Sequence, residues 1–441
     1  NDGGGGRGNN GGGGGGGGRP MRRGGLEILK DMQQAGAALD PTERLILELK
    51  PGEGDPPYGD RLTGRAIDLI APIGRGQRCL LVAPPKAGKT RILQAIAASV
   101  AHNHPDVAIY ALLVDERPEE VTDFKRNTPA EVIAASSDMT IGEHIETAER
   151  AMELALNWAA TQNNLGCTLR EQANRTEGTA GAALLAQAVA AYRLALEVQT
   201  KKVLPQDWAM TQNDLGLALG DQASRTEGHE GTMLLAQAIA AFHSALEVYT
   251  KENLPQDWAM VQNNLGTALR DQASRMQGPE AIALFAQSVS AYRSALEVRK
   301  KKDLPQDWAT TQNNLGIVLS DQASRKQGPE GTPLLVQAVS TFRAAQEVYT
   351  KKDLPQDWAM TQNNLGNALQ TLGQRESGTM RLEEAVAAFR AALEEYTRER
   401  VPLDWAYSQH GLAHALEALG QRNHDADALT QAMACMTGAA D

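Results

Sequence analysis

Six tryptophans constrain what this chain can fold into. Trp158, Trp208, Trp258, Trp308 and Trp358 recur every 50 residues, and Trp405 follows after 47. A fixed period of this size is the mark of a solenoid, in which no unit buries its apolar face alone and each stacks on the next. One unit reads "WAMTQNNLGNALQ", then a loop, then a segment such as "LLAQAIAAFHSALEVYTK", then "LPQD". The first half predicts a helix, A. Trp208, Thr211, Leu215 and Leu219 fall at i, i+3, i+7 and i+11, which is one apolar stripe. Gly216 within it lets a partner helix approach closely. The second half predicts helix B, with small–large–small faces: Ala188, Tyr192 and Ala195; Ala238, Phe242 and Ala245; Ala338, Phe342 and Ala345.

Punctuation agrees with this frame. Pro205, Pro255, Pro305 and Pro355 stop helix B and open the next helix A. Asp207, Asp257, Asp307 and Asp357 then face the positive end of that helix. The loop "RTEGTAG" places glycine where helix A should end. In the last unit Gln409-His410 stand for the Asn pair and Ala413 for the glycine, as in a terminal cap.

The Leu-Gly of helix A and the Ala-x3-Phe/Tyr-x2-Ala of helix B resemble the tetratricopeptide repeat (TPR) family, and "TQNNLG" resembles its kinesin-light-chain-like variety. The unit is longer than a standard TPR, which predicts a longer loop between its helices. The resemblance implies an all-α superhelix over 158–441 that binds a protein or peptide in its concave groove. Asn163 lies about 200° around the helix from Leu165. Asn213, Asn263, Asn313 and Asn363 repeat that placement, beside a varied row of Cys167, Leu217, Thr267, Ile317 and Asn367. Two readings stand. The asparagines grip a peptide backbone in the groove, or they bond adjacent helices. The neighbouring Asn164 row is expected to bridge units.

Residues 26–157 carry a different pattern, a connector over 26–62 and an α/β lobe over 63–157. "QRCLLVAP" (77–84), "DVAIYALLVDE" (106–116) and "AEVIAASS" (130–137) read as buried strands. Helical stretches alternate with them, which predicts a parallel sheet. Between the first strand and its helix lies "APPKAGKT" (83–90). A strand–loop–helix turn of this kind aims backbone amides and a helix N-terminus at one point, which suits phosphate. Pro84, Pro85, Lys86, Ala87, Gly88, Lys89 and Thr90 form the candidate nucleotide loop. Lys89 would meet the β/γ-phosphates, and Thr90 would offer its hydroxyl to Mg²⁺.

"RAIDLIAPIGRGQRCLLVAPPKAGKT" (65–90) and "LLVDERPEEVTDFKR" (112–126) resemble the ATPase core of the bacterial transcription termination factor Rho. "PTERLILEL" (41–49) and "EVIAASSD" (131–138) extend the resemblance to about residues 40–156. That family has PPKAGKT in its own loop, so Ala83 in place of the usual glycine is in pattern. The resemblance implies a RecA-like P-loop lobe, here truncated, from an RNA-dependent ATPase and helicase that uses ATP and Mg²⁺. It also implies Glu116 as the carboxylate that activates the attacking water, and Arg117 as a reader of the γ-phosphate.

The pattern breaks after Leu156. The strand that should close with a Mg²⁺-binding Asp is absent from the sequence, as are the segments for an arginine finger, the adenine-stacking aromatic and the RNA loops. Fast hydrolysis is therefore not expected, and the shortened sheet should leave apolar surface uncovered. The junction reads as a fusion or a misjoined frame.

Residues 1–25, a Gly/Arg-rich stretch with four arginines against one aspartate, predict a disordered tail. It reads either as an inert linker or as a weak RNA contact. The net charge of −11 argues against a wholly nucleic-acid-coated surface. Cys79, Cys167 and Cys435 are odd in number and far apart, so neither a disulfide frame nor a zinc site is predicted. His229, His243, His410, His414 and His424 read as surface histidines without metal spacing. No apolar run is long enough to predict a membrane span, no signal peptide is visible, and a cytoplasmic location is expected. The chain begins at Asn1, as a fragment of a longer product would.

Three functions fit these readings. The first is a Rho-like ATP-binding module on a TPR scaffold. The second is a non-enzymatic TPR scaffold with a remnant loop. The third is an RNA-dependent ATPase completed by another subunit.

Overall fold

The computed structural model describes residues 44–49, 61–74, 81–82, 87–326 and 328–440. The chain divides into two compact units, Asn1–Glu149 and Arg150–Asp441. The 1–25 tail lies outside the described residues, as does nearly all of the 26–62 connector. So do most of the expected strand 77–84 and Cys79; Leu81 and Val82, the described part, form no strand.

In the first unit, β1 (Arg44–Leu45) pairs antiparallel with β2 (Ile73–Gly74). Between them runs α1 (Arg61–Ile70). The Asp68 carboxylate on that helix accepts hydrogen bonds from the Leu47 and Glu48 amides at 2.9 and 2.8 Å. Helix α2 (Lys89–Asn103) follows the nucleotide loop. Then come β3 (Tyr110–Glu116), α3 (Pro118–Asn127) and β4 (Glu131–Ser136). β3 and β4 are parallel with α3 as their crossover, as the alternation predicts. Leu113, Val121 and Phe124 form their small core. On the other face Tyr110, Leu112 and Val114 are half exposed. No strand follows Ser136 among the described residues.

Helix α4 (Ile141–Asn174) is a single element. It runs through both Leu156, where the α/β pattern breaks, and Trp158, where the repeats begin. No proline or glycine interrupts "ELALNWAATQ", so backbone hydrogen bonding continues through it.

The second unit then alternates A and B helices. α5 (Gly178–Val198) is the first B helix. It is followed by α6 (Pro205–Ser224), α7 (Gly228–Leu246), α8 (Pro255–Ser274), α9 (Pro279–Val298), α10 (Pro305–Ser324) and α11 (Thr332–Gln346). α12 (Pro355–Arg375), α13 (Met380–Ala392), α14 (Pro402–Asn423) and α15 (Ala426–Ala440) complete it. The prolines open the A helices at their first turn, and the aspartates sit in that turn. The B-helix faces are buried: Ala238, Phe242 and Ala245 are at most 2 % exposed. A Cβ built on Gly166, Gly216, Gly266, Gly316 or Gly366 would lie 2.6–2.9 Å from a ring carbon of Tyr192, Phe242, Tyr292, Phe342 or Phe389. The A-helix glycine is thus the seat of the B-helix aromatic ring.

Two expectations about the loops are corrected. The A–B connection is short, only residues 225–227 between α6 and α7, because the extra length of the unit lies in the helices and in the B–A turns. The loop glycine begins helix B instead of ending helix A: Gly178, Gly228 and Gly278 take φ of +65°, +67° and +80°. The carbonyls freed at the end of helix A are held from the next unit. Arg225 donates to Thr176 O (2.8 Å) and Ala173 O (2.7 Å), and Arg275 to Thr226 O (2.8 Å) and Ala223 O (2.5 Å). A guanidinium does here what a left-handed glycine does at many helix ends.

One described helix, α5, is long and apolar enough to cross a membrane, which differs from the sequence expectation. In the array it is a B helix, with Leu185, Ala188, Tyr192 and Ala195 buried.

Candidate functional site

Of the nucleotide loop, Ala87–Thr90 lie within the described residues; Pro84, Pro85 and Lys86 lie outside them. Gly88 takes φ +83°, and nothing lies within 4 Å of where its Cβ would be. A side chain there would be strained by the backbone alone. Helix α2 begins at the next residue with no side-chain cap. Among the described residues no side chain caps its first amides, and such amides suit an anion, the property a phosphate site requires. Lys89 is exposed on this turn. The Thr90 hydroxyl donates to Glu120 Oε2 at 3.1 Å, and Gln94 Nε2 donates to Asp123 Oδ2 at 2.9 Å. These bonds tie the start of α2 to α3, whose N-cap is Arg117. Lys89, Thr90, Glu116 and Arg117 thus gather at the carboxyl end of β3, where open α/β sheets take their ligands.

One feature of this end was missed in the sequence. Asp115 has φ +60°, and the β3–β4 register slips between Val114 and Glu116. Such a bulge re-aims the following side chain. Glu116 is half-buried behind it, its carbonyl held by the Ser137 amide at 2.8 Å. Asp is among the residues that tolerate a left-handed backbone, but nothing in "LLVDER" announces that it does so.

In the repeat unit, the groove reading is corrected for four of the five asparagines; Asn363 is half-buried and lines a cavity. Asn163, Asn213, Asn263 and Asn313 are 2–9 % exposed. Asn264, Asn314 and Asn364 donate to the side-chain oxygens of Asn213, Asn263 and Asn313 at 3.0, 3.4 and 3.1 Å. Thr211 donates to Asn163 at 3.0 Å, and Ser408 to Asn363 at 3.0 Å. Each A helix therefore presents this row to the next A helix, and both asparagine rows form one inter-unit clasp. Helical wheel angles place a residue away from one neighbour but do not say what the next unit brings against it. Replacing Asn313 by alanine is expected to lower stability by about 1–2 kcal/mol, since the Asn364 amide loses its acceptor. A urea unfolding curve checks it, and an unchanged midpoint would count against the clasp.

The same clasp corrects the register of the last unit. Ser408 takes the place of Thr311, which donates to Asn263 at 3.3 Å. His410 and Gly411 therefore stand where earlier units have the asparagine pair. His414 then falls in the varied row with Cys167, Leu217, Thr267, Ile317 and Asn367. Cys167 of that row lies 3.8 Å from Asp214 Oδ2 and accepts from the Tyr192 hydroxyl at 3.4 Å. Burial pushes its thiol up, the opposite of an activated cysteine. At the other end of the row, His414 and His410 bring their Nε2 atoms to 3.1 Å. They line a cavity of about 480 Å³ with Asn364, Asn367, Asp404 and Tyr407.

Residues 64–177 match the ATP synthase alpha/beta family, nucleotide-binding domain. The transcription termination factor Rho of Streptomyces lividans is 51 % identical over 117 residues, covering 26 % of this chain and 15 % of that one. Rho of Allochromatium vinosum is 50 % identical over 113 residues, 26 % of each chain. Rho of Escherichia coli K12 is 50 % identical over 109 residues, 25 % of each. The chain thus spans about a quarter or less of these relatives. Among solved structures, a circular tandem repeat protein aligns over 80 % of this chain and 78 % of its own, with 14 % identity and a TM-score of 0.30. The TPR2AB-domain:pHSP90-complex of yeast Sti1 aligns over 63 % and 90 %, with 15 % identity and a TM-score of 0.23. Both likenesses are too loose to add to what the helix pairs themselves show. The chain joins a Rho-like nucleotide-binding segment to a TPR-type array.

Proposed function

We propose that the chain is a TPR-type protein-interaction scaffold carrying a Rho-like module that binds ATP with Mg²⁺ and turns it over slowly. The observation that carries the reading is the start of α2. Left-handed Gly88, an uncapped helix N-terminus, Lys89 and Thr90 present together what a polyphosphate needs. These residues fit the nucleotide. Lys89 would neutralise phosphate oxygens, and Thr90, its hydroxyl oriented by Glu120, would hold the cation. Bound Mg²⁺ would supply charge neutralisation between the outer phosphates. Glu116 would orient an attacking water, with Arg117 beside it.

Slow turnover follows from what the described fold lacks. No strand after Ser136 is present among the described residues to bring the Mg²⁺-binding carboxylate. An arginine finger alone changes such rates by about 10³-fold or more. The repeat array supports recruitment of a protein or peptide. RNA contact rests on the Gly/Arg-rich tail and on the Rho-like segment, and a cytoplasmic site of action is part of the same proposal.

Labelled-ATP binding and turnover, with and without RNA, test the reading on the chain and on Lys89→Ala. We expect saturable binding that the variant loses by about tenfold or more, since one charge-assisted phosphate contact is removed, and little turnover. Failure of both proteins to bind would leave the second reading, a non-enzymatic scaffold with a remnant loop. Fast RNA-stimulated turnover would instead require that another subunit complete the site.

A further inference from the structure

We propose that His410 and His414 form a bidentate site for a divalent transition metal at the end of the repeat array. They lie one turn apart on α14, with Nε2 atoms 3.1 Å apart and rings nearly perpendicular at 87°. Two nitrogens each about 2.1 Å from one metal are separated by about 3.0 Å at a right angle and about 3.4 Å at a tetrahedral one. The pair already has that bite.

A second observation points the same way. Glu417 Oε2 lies 3.6 Å from His414 Nδ1. At that distance the carboxylate stands beside Nδ1 without bonding it, and a small side-chain shift would let it accept the Nδ1 proton as partners of metal-bound imidazoles do. Without metal, one Nε2–H donates to the other Nε2. For both rings to ligate through Nε2, that proton must leave Nε2 for Nδ1 of the same ring by exchange with solvent.

The earlier units explain why the site occurs here. The position of His410 is held by asparagine in units one to five, where four of the five asparagines are buried in the clasp. His410 is exposed. Its ring is free to meet His414, and both open into the cavity with Asn364, Asn367, Asp404 and Tyr407. Two protein nitrogens leave coordination positions for water or for a donor group of a bound ligand. Imidazole pairs of this kind suit Ni²⁺, Cu²⁺ and Zn²⁺ over Mg²⁺ or Ca²⁺.

The test uses the full chain and the chloride salts of Ni²⁺ and Zn²⁺, titrated calorimetrically against wild type, His410→Ala, His414→Ala, the double variant and His229→Ala. We expect about one metal per wild-type chain, with affinity falling about tenfold or more in either single variant and no uptake in the double variant. His229→Ala should bind as wild type does. Circular dichroism without metal should match across the set, because both rings sit on an exposed helix face. Uptake by the double variant equal to wild type, loss in only one single variant, or no uptake by wild type would each overturn the site.

Discussion

Replacing Phe342 by alanine is expected to lower the stability of the array by about 3–5 kcal/mol, toward the upper end for a core aromatic. Phe342 is 1 % exposed and belongs to the largest apolar cluster, with Leu315, Val318, Leu319 and Leu335. Its ring lies over Gly316, where a Cβ would come within 2.6 Å of it. One wall of the resulting cavity would be bare helix backbone, with no side chain able to move in. Gly316→Ala makes the explanation checkable. In the wild type the added methyl meets the ring, and overpacking of about 1–3 kcal/mol opposes the roughly 1 kcal/mol gained by replacing a helical glycine. In the Phe342→Ala background the ring is gone, though Thr341 Oγ1 still lies 2.8 Å from the added methyl, so the same substitution should cost clearly less than in the wild type. Urea denaturation of the four proteins reads the difference. If Gly316→Ala has the same effect in both backgrounds, the ring does not sit on the glycine.

Much of the array was legible because each of its signals is repeated. The Leu-Gly step, the small–large–small B face and the proline at the start of each A helix all have one local cause, and each occurs in the expected place. Contacts between units were less legible. The asparagines sit at the helical angle that suggested a groove, yet the following A helix covers them. The carbonyls at the end of helix A are satisfied by Arg225 and its equivalents about 50 residues onward. The arginine recurs once per unit, as the tryptophan does. Its partner is a backbone carbonyl, which leaves no mark in sequence. In the first unit the glycine, lysine and threonine of the loop could be read because a phosphate-binding helix start needs those residue types. The bulge at Asp115 could not, because aspartate is equally at home in a regular turn.

Arg299→Tyr is expected to stabilise the array by about 1 kcal/mol or more. Residue 299 closes a B helix at a position held by Gln199, Tyr249, Tyr349 and Tyr396 in other units. Tyr249 and Tyr349 are 6 % and 4 % exposed, and their hydroxyls reach Gln206 O at 3.2 Å and Thr310 Oγ1 at 2.6 Å. Arg299 is 7 % exposed in the same setting. Its guanidinium donates to Thr311 Oγ1 at 3.0 Å and meets the exposed Asp307 carboxylate only at 3.7 Å. Burial holds its pKa down, only partly offset by Asp307. A buried cation so incompletely paired costs more in lost hydration than its contacts return, and exchange for a well-packed residue of similar size gains about 1–4 kcal/mol in comparable cases. The equivalent Tyr349 packs with Ala309, Ala345, Trp308 and Trp358, so a tyrosine is accommodated at this position of the unit. Arg299→Ala separates charge from shape, because it removes the cation and leaves a void. Arg299→Tyr should raise the urea midpoint, with Arg299→Ala falling below it. A tyrosine variant less stable than wild type would mean that the Thr311 and Asp307 contacts outweigh the burial of the charge.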